Sequence, residues 1–114
     1  MVLPPVATDE LARRIHVVYP GGPLDVQLDH TVDTAVELLA GHVDDTRAGL
    51  YPNAWVEAVT QLAVKIWDTS ARGLAGMDAV GEFTYPAPAA TPQMVTSVFG
   101  VLAPCMTTGG NVVA

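Results

Sequence analysis

Clusters of proline and glycine divide this chain of 114 residues into four segments of helix length. Proline removes a backbone donor and glycine loses more entropy in a helix than other residues, so helices begin or end at such clusters. The clusters are Pro4-Pro5, Pro20 to Pro23, Gly49 to Pro52, Gly73 to Gly81 and Pro86 to Pro92. We therefore expect a mainly α fold, a small bundle of about four helices.

The first two helices are predicted over Thr8 to Val18 and from Gln27 or Thr31 to Val43. Thr8 is expected to cap the first helix, because a threonine oxygen can accept a hydrogen bond from the free N–H groups of the first turn. The second helix has an apolar arc that should face the core. The arc consists of Val32, Ala35, Val36, Leu39, Ala40 and Val43.

The third helix, from Pro52 or Asn53 to Gly73, has the strongest helical pattern in the chain. Its wide apolar arc suits a central helix. Val64 and Trp67 lie at or beyond the edge of this arc, so either the bundle or a second subunit covers them. The residues assigned to packing or subunit contact are Trp55, Val64, Ile66 and Trp67.

The fourth helix is predicted from Thr91 to Leu102, with Thr91 as the N-cap. Before it, Glu82 to Tyr85 form a β-prone patch that allows a short β-hairpin or an extended arm. The 32 residues from Phe83 to Ala114 contain no charged side chain. Such a stretch is expected to dock on a partner, because a solvated segment normally carries charge or strong polarity.

The domain is expected to span residues 1 to 104, with an extended C-terminal tail over residues 105 to 114. A short β-prone end can add to the sheet edge of another chain. The partner-contacting residues predicted in the arm and the tail are Phe83, Tyr85, Thr107, Thr108, Asn111, Val112 and Val113.

The composition excludes several classes of protein. The net charge is −7, and five Lys and Arg residues cannot supply the basic patch that binds nucleic-acid phosphates. The single cysteine, Cys105, rules out an internal disulfide and a cysteine zinc cluster. The chain has no signal-like start and no unbroken run of about eighteen apolar residues, so we expect a soluble protein that does not enter a membrane.

Acidic residues gather on and beside the second helix. No Lys or Arg lies between residues 15 and 46. This pattern predicts an acidic face directed toward a partner or a lumen. Its residues are Asp29, Asp33, Glu37, Asp44 and Asp45.

Two of these acidic residues, together with His30, also allow a metal hypothesis. His30, Asp33 and Glu37 are spaced so that one helical face can present an imidazole and two carboxylates to a divalent ion. A solvated acidic face explains the same residues, and the chain has no HExxH motif. Nor does the sequence pair Cys105 or its two serines with the base that a nucleophilic enzyme needs. We expect no catalytic activity, no metal and no cofactor.

The order of the segments resembles the head-to-tail adaptor (connector) proteins of tailed phages. The likeness covers about residues 27 to 104. The long helix of that family begins at proline, continues through small and apolar residues, and ends with an aromatic and a basic residue before glycine. The positions here that match this pattern, together with a late leucine-x-proline element, are Pro52, Ala58, Leu62, Ala63, Ile66, Trp67, Arg72, Gly73, Leu102, Ala103 and Pro104.

The resemblance implies a structural protein without enzymatic activity that forms a ring, with twelvefold symmetry, between the portal and the stopper or tail proteins. It also implies assembly in the host cytoplasm and a final place in the neck of the virion. An acidic lumen would let DNA pass without specific binding, because like charge prevents phosphate contacts. The residues themselves also allow a small acidic binding or regulatory module that engages a basic partner, and both hypotheses stay open.

Overall fold

The computed structural model describes residues 3–77 and 91–106, and for residues 70–77 the backbone alone. Within these residues the fold is mainly α, as predicted. The helices are α1 (Thr8–Ile15), α2 (Asp25–Ala40), α3 (Asp45–Leu50), α4 (Pro52–Met77), α5 (Pro92–Thr96) and α6 (Phe99–Leu102), followed by a 3₁₀ helix over Ala103–Cys105. The predicted hairpin or arm over Glu82 to Tyr85 lies outside the described residues.

Helix α1 ends earlier than the sequence predicts. His16 adopts the left-handed conformation, with φ of 60°, and the Val17 N–H donates back to the Ala12 carbonyl at 2.9 Å. This geometry terminates a helix, so the prediction that it extends to Val18 is wrong. The predicted cap is also wrong, because Ala7 is the N-cap and the Thr8 hydroxyl donates to Asp29 instead.

A compact loop leads from α1 into α2. The Asp25 carboxylate accepts hydrogen bonds from the N–H groups of Gly21, at 2.7 Å, and Gly22, at 3.2 Å. Gly21 has φ of +97°, and a Cβ on Gly22 would lie 2.6 Å from the Val18 carbonyl oxygen. Both positions therefore favour glycine. Helix α2 begins at Asp25, before the predicted start.

The core forms where α2 packs along α4. Most residues of the apolar arc predicted for α2 are buried. Val43 is buried too, with 8 % of its surface exposed, although it lies beyond the end of α2. Helix α4 also contacts α1, α3, α5, α6 and the 3₁₀ helix, so it is the central helix that its wide arc predicts. Its fully buried residues are Trp55, Ala58, Val59, Leu62, Ala63 and Ile66.

Helix α3 was not predicted from the sequence. The Asp44 carboxylate caps it by accepting from the N–H groups of Thr46, at 2.8 Å, and Arg47. The Ala48 side chain of this helix is fully buried. The helix has only six residues, which is too short for a periodic signal, and the cap is its clearest sequence signal.

The segment predicted as a fourth helix is two short helices. Thr91 caps α5, as predicted, and its hydroxyl oxygen accepts from the Met94 N–H at 3.3 Å. The helix then breaks at Ser97 and Val98 before α6 begins. Val98 is fully buried, and this break lets both short helices pack on α4.

Residues 105 and 106 belong to the packed domain, so the boundary expected after residue 104 is too early. Cys105 is fully buried, and Met106 forms an antiparallel β-bridge with Val43. The Asp44 N–H donates to the Cys105 carbonyl at 2.9 Å, which ties the end of the described chain to the start of α3. The tail that the sequence predicts lies, from residue 107 onward, outside the described residues.

Within residues 3–77 and 91–106, none of the helices combines the length and the hydrophobicity that a transmembrane span requires.

Trp55 anchors the N-terminal segment to the core, which gives a direct stability test. Its indole N–H donates to the Pro4 carbonyl at 2.9 Å while its ring is fully buried. We expect Trp55→Phe to lower the free energy of unfolding by about 2 kcal/mol, because it removes this bond and part of a buried ring. Urea denaturation followed by circular dichroism measures the loss. Trp67→Phe, at a partly buried position, should cost less than half as much, and equal losses would contradict the anchoring role.

Candidate interaction surfaces

An open groove lies between the end of α1 and the outer side of α4. Its volume is about 380 Å³, and it is lined by Ile15, Val64, Lys65, Trp67 and Asp68. We call this the α1/α4 groove. The apolar residues Ile15, Val64 and Trp67 are partly buried and pack against the core. The groove is therefore an apolar depression with charged residues along one side.

Two further depressions adjoin the α1/α4 groove and share Lys65 with it. One lies beside Arg14 and Gln61, with a volume of about 310 Å³. The other lies between α4 and α5, beside Thr69 and Met94, with a volume of about 280 Å³. Lys65 borders all three depressions, so the exposed side of α4 forms a ridge between them.

An ion-pair network holds α1 against α4 beside this groove. The Arg14 guanidinium donates to both carboxylate oxygens of Glu57, at 2.7 and 3.0 Å, and also to Glu10 at 3.0 Å. Gln61 donates to Glu57 at 2.9 Å, and Arg13 pairs with Glu10. The two-point contact fixes the orientation of α1 as well as its distance from α4.

The network changes the acidity of its carboxyl groups. Hydrogen bonds from Arg14 and then Gln61 lower the pKa of Glu57 to about 2, against an ordinary value of 4.5. Hydrogen bonds from Arg13 and Arg14 also lower the pKa of Glu10. The same pairing with Glu57 raises the pKa of Arg14. The Glu57 carboxylate therefore stays charged well below its ordinary pKa of 4.5.

The structure places three of the predicted acidic residues on one exposed strip of α2. Asp29, Asp33 and Glu37 follow each other at intervals of four residues, and all three are exposed. We call them the acidic strip. Asp29 accepts hydrogen bonds from the hydroxyls of Thr8, at 2.8 Å, and Tyr19, at 2.9 Å, and this contact raises the pKa of Tyr19.

The other two predicted acidic residues lie outside α2. Asp44 is exposed, but its carboxylate caps α3, and Asp45 is a partly buried residue of the first turn of α3. Both positions favour negative charge because the helix N-terminus carries partial positive charge. Their roles in the fold are therefore local, and the continuous acidic surface is the strip on α2.

Two alternative chemistries involve a metal site and the Cys105 thiol. Among the described residues, no group of three or more His, Cys, Asp or Glu side chains converges on a point that could hold a metal ion, and this includes His30, Asp33 and Glu37. The Cys105 thiol donates to the Tyr51 carbonyl at 3.4 Å, and burial raises its pKa. A protonated and buried thiol serves packing better than nucleophilic attack.

The predicted subunit contacts divide into three groups. Trp55 and Ile66 are fully buried within this chain, so they are core residues, and the expectation that they contact a neighbouring subunit is corrected. Val64 and Trp67 are partly buried and line the α1/α4 groove, where a neighbour can reach them. The remaining predicted contacts lie outside the described residues: Phe83, Tyr85, Thr107, Thr108, Asn111, Val112 and Val113.

Sequence reasoning missed the cross-helix network and the three groove residues Ile15, Lys65 and Asp68. The spacing of Glu10 and Arg14, four residues apart, was a visible signal for an ion pair within α1. Glu57 lies 43 residues beyond Arg14, and no local pattern shows that they meet.

Comparison of this chain with models of protein families, with curated proteins and with solved structures gave no match.

The pairing of Glu57 with Arg14 predicts a pH dependence of stability. Because the pKa of Glu57 is lowered in the folded state, the pair stabilises the fold above about pH 4.5, and this contribution is lost as the pH falls toward 2. We expect Glu57→Gln to cost about 1 kcal/mol near neutral pH, since water screens a side chain that is 40% exposed. The difference from the native chain should disappear near pH 2. Urea denaturation at several pH values measures it.

The matched control is Glu37→Gln, which removes one negative charge from the exposed acidic strip. A surface change of this kind is expected to shift the unfolding free energy by less than about 0.5 kcal/mol. If both variants show the same pH profile, the network does not stabilise the fold.

Proposed function

We propose that this protein is a head-to-tail adaptor that forms a ring between the portal and the stopper or tail proteins of a tailed phage. The observation that carries the proposal is the α1/α4 groove on the central helix. A small domain that leaves Val64 and Trp67 partly open, next to Ile15, presents apolar surface suited to a neighbouring subunit. The resemblance in segment order supports the same assignment.

The charge distribution supports a ring through which DNA passes. The acidic strip on α2 is exposed, and the chain has no Lys or Arg between residues 15 and 46. A lumen lined by such strips repels phosphates, so DNA would move through without stopping at specific contacts. The function is therefore mechanical, with neither a cofactor nor a catalytic step.

The uncharged end of the chain supplies the proposed portal contact. Residues 107–114 contain no charged side chain and end in Asn111, Val112, Val113 and Ala114. A segment of this composition suits addition to an apolar surface or to a sheet edge of the portal. The arm residues Phe83 and Tyr85 are assigned to subunit or partner contact in the same proposal.

Negative-stain imaging of the protein mixed with candidate portal rings tests the proposal. We expect a ring of added density beneath the portal, because the portal offers repeated copies of one binding surface. The same protein without portals at the same concentration is the reference. A full set of candidate portals that all remain bare would contradict the adaptor function.

A truncation tests the contribution of the tail. Removing residues 107–114 leaves the buried Cys105 and the Val43–Met106 bridge in place, so the domain should keep its helical circular dichroism spectrum. Portal binding by the truncated chain should fall at least tenfold. The control is a full-length chain in which charge is removed outside the acidic strip, at the exposed Asp9, by Asp9→Asn. Undiminished portal binding after truncation would exclude the tail as the contact.

A second function is favoured by the acidic strip itself. Three exposed carboxylates at helical spacing also suit a small module that binds a basic partner. Such binding weakens steeply with salt, because the Debye length falls from about 10 Å at 0.1 M to about 3 Å at 1 M. A partner held by apolar contact responds little, so a salt titration of whichever complex is isolated separates the two functions.

A further inference from the structure

We propose that the exposed apolar side chains at the end of α3 bind the last residues of the same chain, the tail over residues 107–114. The binding surface consists of Leu50 and Tyr51, and we call it the α3 patch. This inference goes beyond the proposed function, because it concerns a contact that the chain makes when no partner is present.

The α3 patch is an unusual feature of this surface. Leu50 is 69 % exposed and Tyr51 is 50 % exposed, and the two are adjacent in the sequence. Pro52, which follows them, is exposed as well. Large apolar side chains that are exposed next to each other favour a partner that removes them from water.

The chain leaves the described structure beside this patch. The Cys105 thiol donates to the Tyr51 carbonyl at 3.4 Å, and the Arg47 guanidinium donates to the Pro104 carbonyl at 3.1 Å. These two contacts hold the 3₁₀ helix against α3, and Met106 comes directly after it. The tail therefore starts next to the surface that it is proposed to cover.

The composition of the tail suits an apolar patch. Its eight residues carry no charged side chain, and Val112 and Val113 lie close to its end. Burial of such a segment removes no charged side chain from water, so the usual desolvation cost is small. The pair Gly109-Gly110 also permits a reversal of the chain, which can bring the two valines back toward α3.

The short connection favours this patch over other exposed apolar residues. Val112 is six residues beyond Met106, a reach of at most about 20 Å. Met106 pairs with Val43, beyond the end of α2, whereas the exposed Val26 lies at the start of that helix of 16 residues, which is about 24 Å long. A short tether also gives an effective concentration in the millimolar range, so a weak contact is sufficient.

Nuclear magnetic resonance of the full-length native chain tests the contact directly. With methyl groups labelled, we expect nuclear Overhauser effects from Val112 and Val113 to the Tyr51 ring and the Leu50 methyl groups. A mixture of labelled and unlabelled chains shows whether a contact joins two copies, and we expect no effect between chains. Tail signals with no contact to the patch, contacts to the α1/α4 groove instead, or contacts found only between chains would each overturn the proposal.

A double-mutant cycle measures the coupling in full-length chains. Val112→Ser with Val113→Ser should lower Tm by about 3 °C, because it removes the apolar part of the tail. In a chain that already carries Leu50→Ser and Tyr51→Ser, the same change should lower Tm by less than about 1 °C, since the patch is gone. The Cys105 thiol uses the backbone carbonyl of Tyr51, so this bond can remain in the variant.

The matched control is Val18→Ser with Val26→Ser, which removes two other exposed apolar side chains. In that background the tail substitutions should lower Tm by the same amount as in the native chain. Equal losses in all three backgrounds would contradict a contact between the tail and the α3 patch. Circular dichroism checks that each variant keeps its helices, and the contacts measured in the native chain depend on no variant.

The outcomes are independent of the adaptor function. Every measurement uses the chain alone, so portals that remain bare in the images leave this contact standing. Absence of the contact leaves portal binding to be decided by imaging. If both are found, the tail has to leave the α3 patch when it binds a portal.

Discussion

The packing of α4 against every other helix is the constraint on which the rest of this structure depends. Its buried side brings α2 and the two short helices α5 and α6 onto one core. A chain of this length can form one small core, and here a single helix of 26 residues supplies more of the buried side chains than any other described helix.

The Arg14–Glu57 pair extends this order to α1. Without it, a helix of eight residues would be held on α4 mainly by Leu11 and Ala12. With it, the end of α1 lies at a set position beside Val64, and the α1/α4 groove has a fixed width. The charged network thus serves the apolar surface next to it, even though it contributes little to overall stability.

Much of the fold could be predicted from the sequence, because its long helices follow strong periodic patterns. The position of α4 as the central helix, the N-cap at Thr91 and the buried arc of α2 all rest on local spacing. The end of α1 and the break between α5 and α6 could not be predicted, since tertiary packing decides them. Of the candidate surfaces, the acidic strip was visible as a pattern, whereas the groove depends on contacts between residues that lie far apart in the sequence.

The bridge between Val43 and Met106 sets the route by which mechanical force enters the domain. A pull on the chain beyond Met106 acts first on one backbone pair and on the hydrogen bond from Asp44 to Cys105. Asp44 also caps α3, and the 3₁₀ helix before Met106 contacts both α3 and α4, so these two helices share the load. Helix α3 has six residues and one buried side chain, so it should yield before the central helix of 26 residues.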